Sequence, residues 1–360
     1  MIDLQSIYYE VKRLAFAKGY WIVSPISAAD SSIEFSALII GNYIGMAAFE
    51  ILQNGTAVKY AKLKSNVFNQ ICDRLDLPPD ESIQVSFSCA LDDHHSTILK
   101  CVDSETGNLL GNEFYLPSTD ILSKANNTSL QGMVRSTRLS DKFSFTLSGY
   151  HDYEILNKTC RTFAAETISS SPIKLLDWGV GAGRISQFFE KNQNYDVYGT
   201  DIDPVNISNL HNSGLGKNRY THMRPKKQIP FPDSFFDVVY GISVFTHLTE
   251  ALQFYYLNDI FRILKPGGIG IFSVHGLIHF FTRVNDGNQF SQWFQSGFYQ
   301  YSENKDLIDG FPETDGAELY VDVFHSVSYL FSRWGKVFKE VKLIESPNSY
   351  GHDLVVVKKI

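Results

Sequence analysis

Cysteine is scarce in this chain. Four occur in 360 residues, at positions 72, 89, 101 and 160. None forms a CxxC pair or stands at zinc-site spacing from a histidine, so a disulfide framework and a zinc module are both excluded. Basic clusters are missing too. Lys and Arg number 32 against 39 Asp and Glu, the net charge is −7, and no basic run stands out beyond Lys226-Lys227. A duplex nucleic acid partner needs a basic face to neutralise phosphates, and none is present. Nor is there a long apolar run. The uncharged, largely apolar stretch Phe35–Phe49 is shorter than a membrane span and is broken at Gly41-Asn42. The first residues, MIDLQSIYYEVKRL, carry Asp3 and Glu10 and no apolar centre, which reads against a signal peptide. A cytoplasmic protein without a membrane span is the expectation.

What is present is enough apolar content, 44%, for two packed domains. Residues 4–18 follow a helical period through Leu4, Ile7, Tyr8, Val11 and Leu14. From Ile33 to Leu116 the pattern is β. Strand-length segments lie at Ile33–Ile40, Gly45–Leu52, Ala57–Leu63, Ile83–Leu91, Ser96–Val102 and Leu109–Leu116, with turn residues between them. Residues 1–117 are therefore expected to form a small β-sandwich or barrel. Asp92-Asp93-His94-His95 reads as a polar hairpin turn rather than a metal site, because adjacent side chains do not converge on one ion. Residues 118–132 are polar and read as a linker. A second domain is expected over 133–360, opening with a helix at His151–Ile168.

The most informative stretch is Leu175–Ser186, LLDWGVGAGRIS. An apolar run reads as a buried strand. Asp177 ends it, and Gly179, Gly181 and Gly183 follow at alternate positions. Such a turn lets a ligand lie on bare backbone at a helix N-terminus, although a tight turn can also exist with no ligand. The dinucleotide pattern GxGxxG would need glycine where Arg184 stands. Downstream, Tyr195–Asp201 is a second strand ending in an acid, where a ribose diol would be held. Phe235–Gly241 is another apolar strand. A helix at Leu252–Leu264 is stopped by Lys265-Pro266-Gly267-Gly268, after which Ile269–Val274 starts a strand. The chain closes with a helix at His325–Trp334 and strands at Val337–Ile344 and Asp353–Lys358.

This order of elements, with its DxGxGxG turn, resembles the class I S-adenosylmethionine (SAM) dependent methyltransferases. The resemblance covers about residues 150–360. It implies a Rossmann-like α/β fold with a seven-stranded sheet, mostly parallel with the last strand antiparallel, and SAM as cofactor. It implies a cofactor site of Asp177, Gly179, Gly181, Gly183, Arg184, Asp201, Ile202, Gly241 and Ser243. The segments PFPDSFFDVVYGISVFTHLTE and GHDLVVVKK resemble a bacterial type 11/12 subgroup linked to sugar and surface-polysaccharide modification. That subgroup usually has Gln where His352 stands here. A methyltransferase acting on a glycan or sugar-nucleotide hydroxyl is the expectation. A small metabolite or lipid acceptor, or a SAM-binding scaffold without catalysis, are the alternatives.

Two histidines fall at strand ends where ligands of such sheets gather, His247 after Phe235–Gly241 and His275 after Ile269–Val274. Either would serve as a general base for a hydroxyl, since imidazole is matched to proton transfer near neutral pH. His247 reads equally well as a helix-terminal residue bonded to backbone. Residues 276–322 form a long insert containing FSQWFQSGFYQYSEN. Its Trp293, Phe298, Tyr299 and Tyr301 are the expected acceptor-binding residues of a lid, since aromatic and amide groups suit a sugar; a helical cap over the sheet edge is the plainer reading. No metal is expected.

Overall fold

The computed structural model describes residues 11, 20–29, 32–40, 49–62, 82–125, 132–133, 137, 141–164, 172–216, 219–284, 287–303, 321–345 and 351–360. The chain divides into two compact units, one of residues 1–124 and 277–292, the other of 125–276 and 293–360. Residues 277–292, read from sequence as part of the second domain's insert, thus group with the first unit. The helix expected at 4–18 lies almost wholly outside the described residues. Among the described residues no helix is long and apolar enough to cross a membrane.

Among the described residues the first unit contains eight strands: β1 (Tyr20–Ala29), β2 (Ser32–Ile40), β3 (Phe49–Gln53), β4 (Thr56–Val58), β5 (Tyr60–Lys62), β6 (Ser82–Ala90), β7 (Thr97–Asp103) and β8 (Phe114–Leu116). They form two four-stranded sheets, ordered β1-β2-β6-β5 and β4-β3-β7-β8, with antiparallel pairing throughout. Rings meet between the sheets: Phe49 of β3 stacks on Tyr60 of β5 at 4.7 Å, and Phe35 of β2 meets Phe114 of β8 edge-on at 6.3 Å. Strand β1 was not expected from the sequence, because Pro25 interrupts its pattern. The proline is accommodated because β1 lies at a sheet edge and its register shifts between Pro25 and Ser27. The Asp92–His95 segment, expected as a hairpin turn, is instead a connection between sheets, since β6 and β7 lie in different sheets and do not pair. The Asp92 carboxylate accepts the N–H groups of His94 and His95, each at 2.8 Å. The expected linker begins differently, with a one-turn helix, Thr119–Ser123, whose N-terminus is capped by the Ser118 hydroxyl. Cys89, Cys101 and Cys160 are buried free thiols, and burial pushes each up to about 12.

Among the described residues the second unit has nine strands. Seven of them, β9 (Ile173–Trp178), β10 (Tyr195–Asp201), β11 (Tyr220–His222), β12 (Phe236–Gly241), β13 (Leu264–Val274), β16 (Glu340–Ile344) and β17 (Asp353–Lys358), make one sheet. Its order is β11-β10-β9-β12-β13-β17-β16. Pairings from β11 to β13 are parallel, and β17 runs antiparallel to both its neighbours. This is the α/β sheet the sequence implied. Its central strands are largely apolar because both faces are covered, and β12 is buried at every position. The short strand β11 was missed, since three residues carry too little periodicity to register. The run Lys265–Gly268 lies inside β13 rather than before it, with a register shift where β12 meets it.

Helices α1 (Lys142–Ala164), α2 (Ser186–Phe189), α3 (Pro204–Asn212), α4 (Glu250–Ile263) and α5 (Val327–Arg333) belong to this unit. Helix α4 buries Gln253, Tyr256, Leu257, Ile260 and Ile263, spaced at three and four residues, so that one stripe faces the core. Strands β14 (Phe298–Glu303) and β15 (Val321–His325) form an antiparallel pair of their own. His325, expected in a helix, is the last residue of β15, and α5 starts only after the Ser326 cap.

Helix α1 packs closely on the segment after the glycine turn. A side chain at Gly149 would strike the Arg184 carbonyl and Cγ. The Arg184 guanidinium bonds Asp152 of the same helix at 2.6 Å, and both side chains are buried. Removing one partner of a buried ion pair strands the other charge. Asp152→Ala should therefore cost about 3–5 kcal/mol of folding stability, and Asp152→Leu combined with Arg184→Met should recover most of it. Urea denaturation of the three proteins measures both effects.

Candidate active site

The strand order reverses between β9 and β12, and crevices outside the carboxyl ends of parallel strands at such a point receive ligands. The glycine turn sits there. Gly179, Gly181 and Gly183 all have left-handed backbone, with φ of +84°, +54° and +76°. Three such positions so close together require glycine at each. The Gly179 and Val180 N–H groups are tied back to the Thr200 carbonyl of β10, at 2.8 and 2.9 Å. At Gly179 a side chain would also meet Val244, so packing, as well as backbone conformation, demands glycine.

Asp177 lies under heavy internal demand. Its carboxylate accepts the Tyr240 hydroxyl at 2.6 Å and the Ser186 hydroxyl. Burial raises its pKa to about 6, and the neighbouring Asp201 adds to the rise. Asp177 thereby joins β9, β12 and the start of α2. Asp201 ends β10. One of its oxygens accepts the Gly181 N–H at 2.6 Å and the other accepts the Asp203 N–H at 2.8 Å. Burial likewise lifts it to about 6. A carboxylate offers about four acceptor positions, so Asp201 can accept a further hydroxyl. Ile202 is half-buried, and its carbonyl lies 3.1 Å from the His222 ring. Gly241 closes β12 against Trp178. Ser243 adopts a left-handed backbone, φ +58°, and gives its N–H to the Ser273 hydroxyl at 2.7 Å.

Both expected histidines lie at the carboxyl end of this sheet, 6.0 Å apart between ring centres. His247 is in a single 3-10 turn after β12, and His275 follows β13. Strand β15 holds them both. His247 Nδ1 is 3.2 Å from the Val321 carbonyl and 3.2 Å from the Asp322 carboxylate. His275 Nδ1 is 3.1 Å from the Val323 carbonyl, and the His275 carbonyl accepts the His325 N–H at 2.8 Å. A carbonyl oxygen only accepts, so in each ring Nδ1 is the donor to strand β15. His352, whose place was open in the sequence, stands with its ring 4.7 Å from that of His275. His325 is a buried structural residue. It contacts Gln253 at 3.0 Å, and burial pushes it down to about 3, so it stays neutral.

Several expected residues are placed otherwise. Arg184, assigned to the cofactor from its position, is committed to Asp152. Trp293, assigned to acceptor stacking, is only 4% exposed and belongs to the packing. Phe298 packs on the sheet's core beside His325 and Tyr329. Tyr299 is half-buried, and Tyr301 is exposed. Asp322 was missed. Nothing in its sequence neighbourhood pairs it with His247, 75 positions earlier. The remainder of the aromatic insert, residues 304–320, lies outside the described residues.

The donor set at the turn suits SAM. Two buried carboxylates would repel a pyrophosphate, but they match a ribose diol and a positive sulfonium. Residues 176–272 match the family described as methyltransferase domain. The chain is 30% identical over 152 residues to the ubiquinone/menaquinone biosynthesis C-methyltransferase of Pseudoalteromonas translucida, covering 36% of this chain and 58% of that protein. It is 25% identical over 186 residues to the sterol 24-C-methyltransferase of Aspergillus fumigatus, covering 45% and 48%. It thus spans about half the length of these curated relatives. Among solved structures, the Burkholderia thailandensis 1,6-didemethyltoxoflavin-N1-methyltransferase shares 18% identity at a TM-score of 0.35, covering 66% of this chain and 92% of that one. Over residues 176–272 the chain is thus similar to methyltransferase domains, and its cofactor is S-adenosylmethionine.

Proposed function

We propose that the protein transfers the methyl group of SAM to a hydroxyl of an acceptor held at the carboxyl end of the sheet. A glycan or sugar nucleotide is the acceptor class we favour. The observation that carries the reading is the pair of imidazoles at the ends of β12 and β13, both held through Nδ1 by backbone carbonyls of β15. A hydroxyl is protonated at neutral pH and needs a positioned base as it becomes a nucleophile. SAM supplies an electrophilic methyl on a positively charged sulfur. In this reading Asp201 accepts from the ribose diol, the glycine turn carries the cofactor on its backbone, and one histidine takes the acceptor's proton. The sugar preference is supported by the aromatic and amide side chains of the insert, with Tyr299 and Tyr301 as its accessible rings.

A second reading follows from the relatives. Those named above are C-methyltransferases of a quinone pathway and of sterols. Carbon methylation also ends in loss of a proton, so the same histidines would serve a lipid-like acceptor. Purified protein with methyl-labelled SAM, offered sugar nucleotides and glycan fragments in one panel and quinol and sterol lipids in another, separates the two. Label on a sugar oxygen supports the first reading. Label on a lipid carbon replaces it with the second. SAM binding without transfer to either panel argues for a scaffold.

Asp201→Ala should weaken SAM by about 1.5–3 kcal/mol in calorimetry, the range for a lost hydrogen bond to a charged group. An unchanged affinity would remove Asp201 from the cofactor site. Affinity should also depend on pH with a defined sign. Burial holds Asp201 at about 6, and diol donors favour its ionised form. Binding is therefore strongest above about pH 6 and weakens roughly tenfold per unit below it. Asp177 titrates in the same range but spends its carboxylate on Ser186 and Tyr240. Asp201→Asn should flatten the profile, and a profile that keeps its shape in that variant would assign the effect to Asp177.

A further inference from the structure

We propose that the outer face of helix α5, with the basic segment that follows it, docks the protein onto an anionic lipid bilayer. The proposal goes beyond the transfer reading and stands whichever acceptor class is correct. Helix α5 buries Tyr329 and Leu330 in the core of the second unit. The side of a surface helix away from the core is ordinarily polar. Here Val327 and Phe331, four positions apart and so on one face, are each 47% exposed. A third apolar side chain, Phe294, is 67% exposed and belongs to a segment bonded to the start of this helix. The Gly297 carbonyl accepts the Ser326 N–H at 2.7 Å, and a side chain at Gly297 would strike Ser326 Oγ and Tyr329 Cβ.

Charge supplies the second observation. Residues 326–342 hold four basic residues, Arg333, Lys336, Lys339 and Lys342, and one acid, Glu340, in a chain whose net charge is −7. All four basic residues are exposed. Glu250 offsets part of this charge, since Arg333 bonds its carboxylate at 3.2 Å. Lys336 ends the 3-10 turn after α5, and Lys339 lies just beyond it. Apolar side chains flanked by lysines suit the boundary of a bilayer. The apolar groups enter between the headgroups, and the ammonium groups stay level with the phosphates. An acidic chain is repelled by an anionic surface over most of its own, so a local basic strip sets which face approaches.

Other occupants fit this face less well. A stable protein interface takes about 20–30 residues a side, far more than this strip offers. A two-fold pairing of copies through the same face would set lysines against lysines. The position of the face also gives docking a use. Val327 lies two residues after His325, whose N–H is held by the His275 carbonyl at the carboxyl end of the sheet. The chain then runs to Glu340, which pairs with Lys358 at the sheet's opposite end. A bilayer against α5 therefore reaches one edge of the crevice, where an acceptor carried in or on the membrane would enter.

Co-sedimentation of the full chain with vesicles tests the proposal. Vesicles of phosphatidylcholine with about one-third phosphatidylglycerol should bind the protein roughly tenfold or more tightly than phosphatidylcholine alone, and raising salt from about 0.05 to about 0.5 M should weaken that binding. Val327→Ser combined with Phe331→Ser removes the apolar part, and Lys336→Glu combined with Lys339→Glu reverses the charge. Each pair should lower binding roughly tenfold or more. Lys226→Glu combined with Lys227→Glu, an equal change of charge at another exposed place, should leave it within about threefold. Calorimetry with S-adenosylhomocysteine should give wild-type affinity in the two α5 pairs, which shows that they fold. Equal binding to neutral and anionic vesicles, binding to neither, or wild-type binding by both α5 pairs would overturn the proposal. So would a dimer in sedimentation velocity that the Val327→Ser and Phe331→Ser pair dissolves, which would give the face to a second copy.

Discussion

The buried carboxylate of Asp177 is the constraint on which the second unit's ligand-binding end depends. It ends β9, receives a hydroxyl from Tyr240 in β12, and receives another from Ser186 at the start of α2. The chain leaves β9 through three left-handed glycines and returns at Ser186. Without a fixed point beneath it, a turn of such free backbone would have many conformations to lose on ligand binding. The carboxylate removes that freedom in advance. Its cost is visible in its raised affinity for a proton, a consequence of burial beside Asp201.

A second constraint acts from the insert's far end. Strand β15 follows a stretch that begins after His275, yet its backbone returns to hold both His275 and His247. The link is reciprocal, since the His275 carbonyl accepts the His325 N–H. His325 is in turn fixed by Gln253, whose amide donates to the Phe245 and Leu248 carbonyls on either side of the turn that carries His247. The imidazoles are therefore oriented by a connected set of hydrogen bonds from α4, β13 and β15. Preorganisation of this kind lets a base act without reorganising at the moment of transfer.

Much of this was legible in the chain itself. Apolar runs at Leu175, Val197, Val238, Ile269 and Val355 mark strands because a parallel sheet covered on both faces tolerates few polar residues. Alternating glycines after an acid mark the turn, because only glycine adopts that backbone freely. Strand-end position marks Asp201, His247 and His275. Less was legible where a rule of sequence was locally broken. Pro25 disguises β1, the brevity of β11 hides it, and Pro266 and the glycines beside it lie within β13 rather than before it. Burial of Arg184 and Trp293 was likewise not legible, since their side chains turn into the protein interior.

The sequence by itself determined the order of elements, the glycine turn and the acids and imidazoles at strand ends, since these follow from local backbone preference and the periodicity of burial. Tertiary structure alone decided the pairings. Asp152 was joined to Arg184, Tyr240 to Asp177, and Asp322 to His247, across separations of 32, 63 and 75 residues. Local propensity carries no information about such contacts. They arise when a sheet of fixed order brings distant strand ends together, and buried charges and hydroxyls then find the partners that make their burial tolerable.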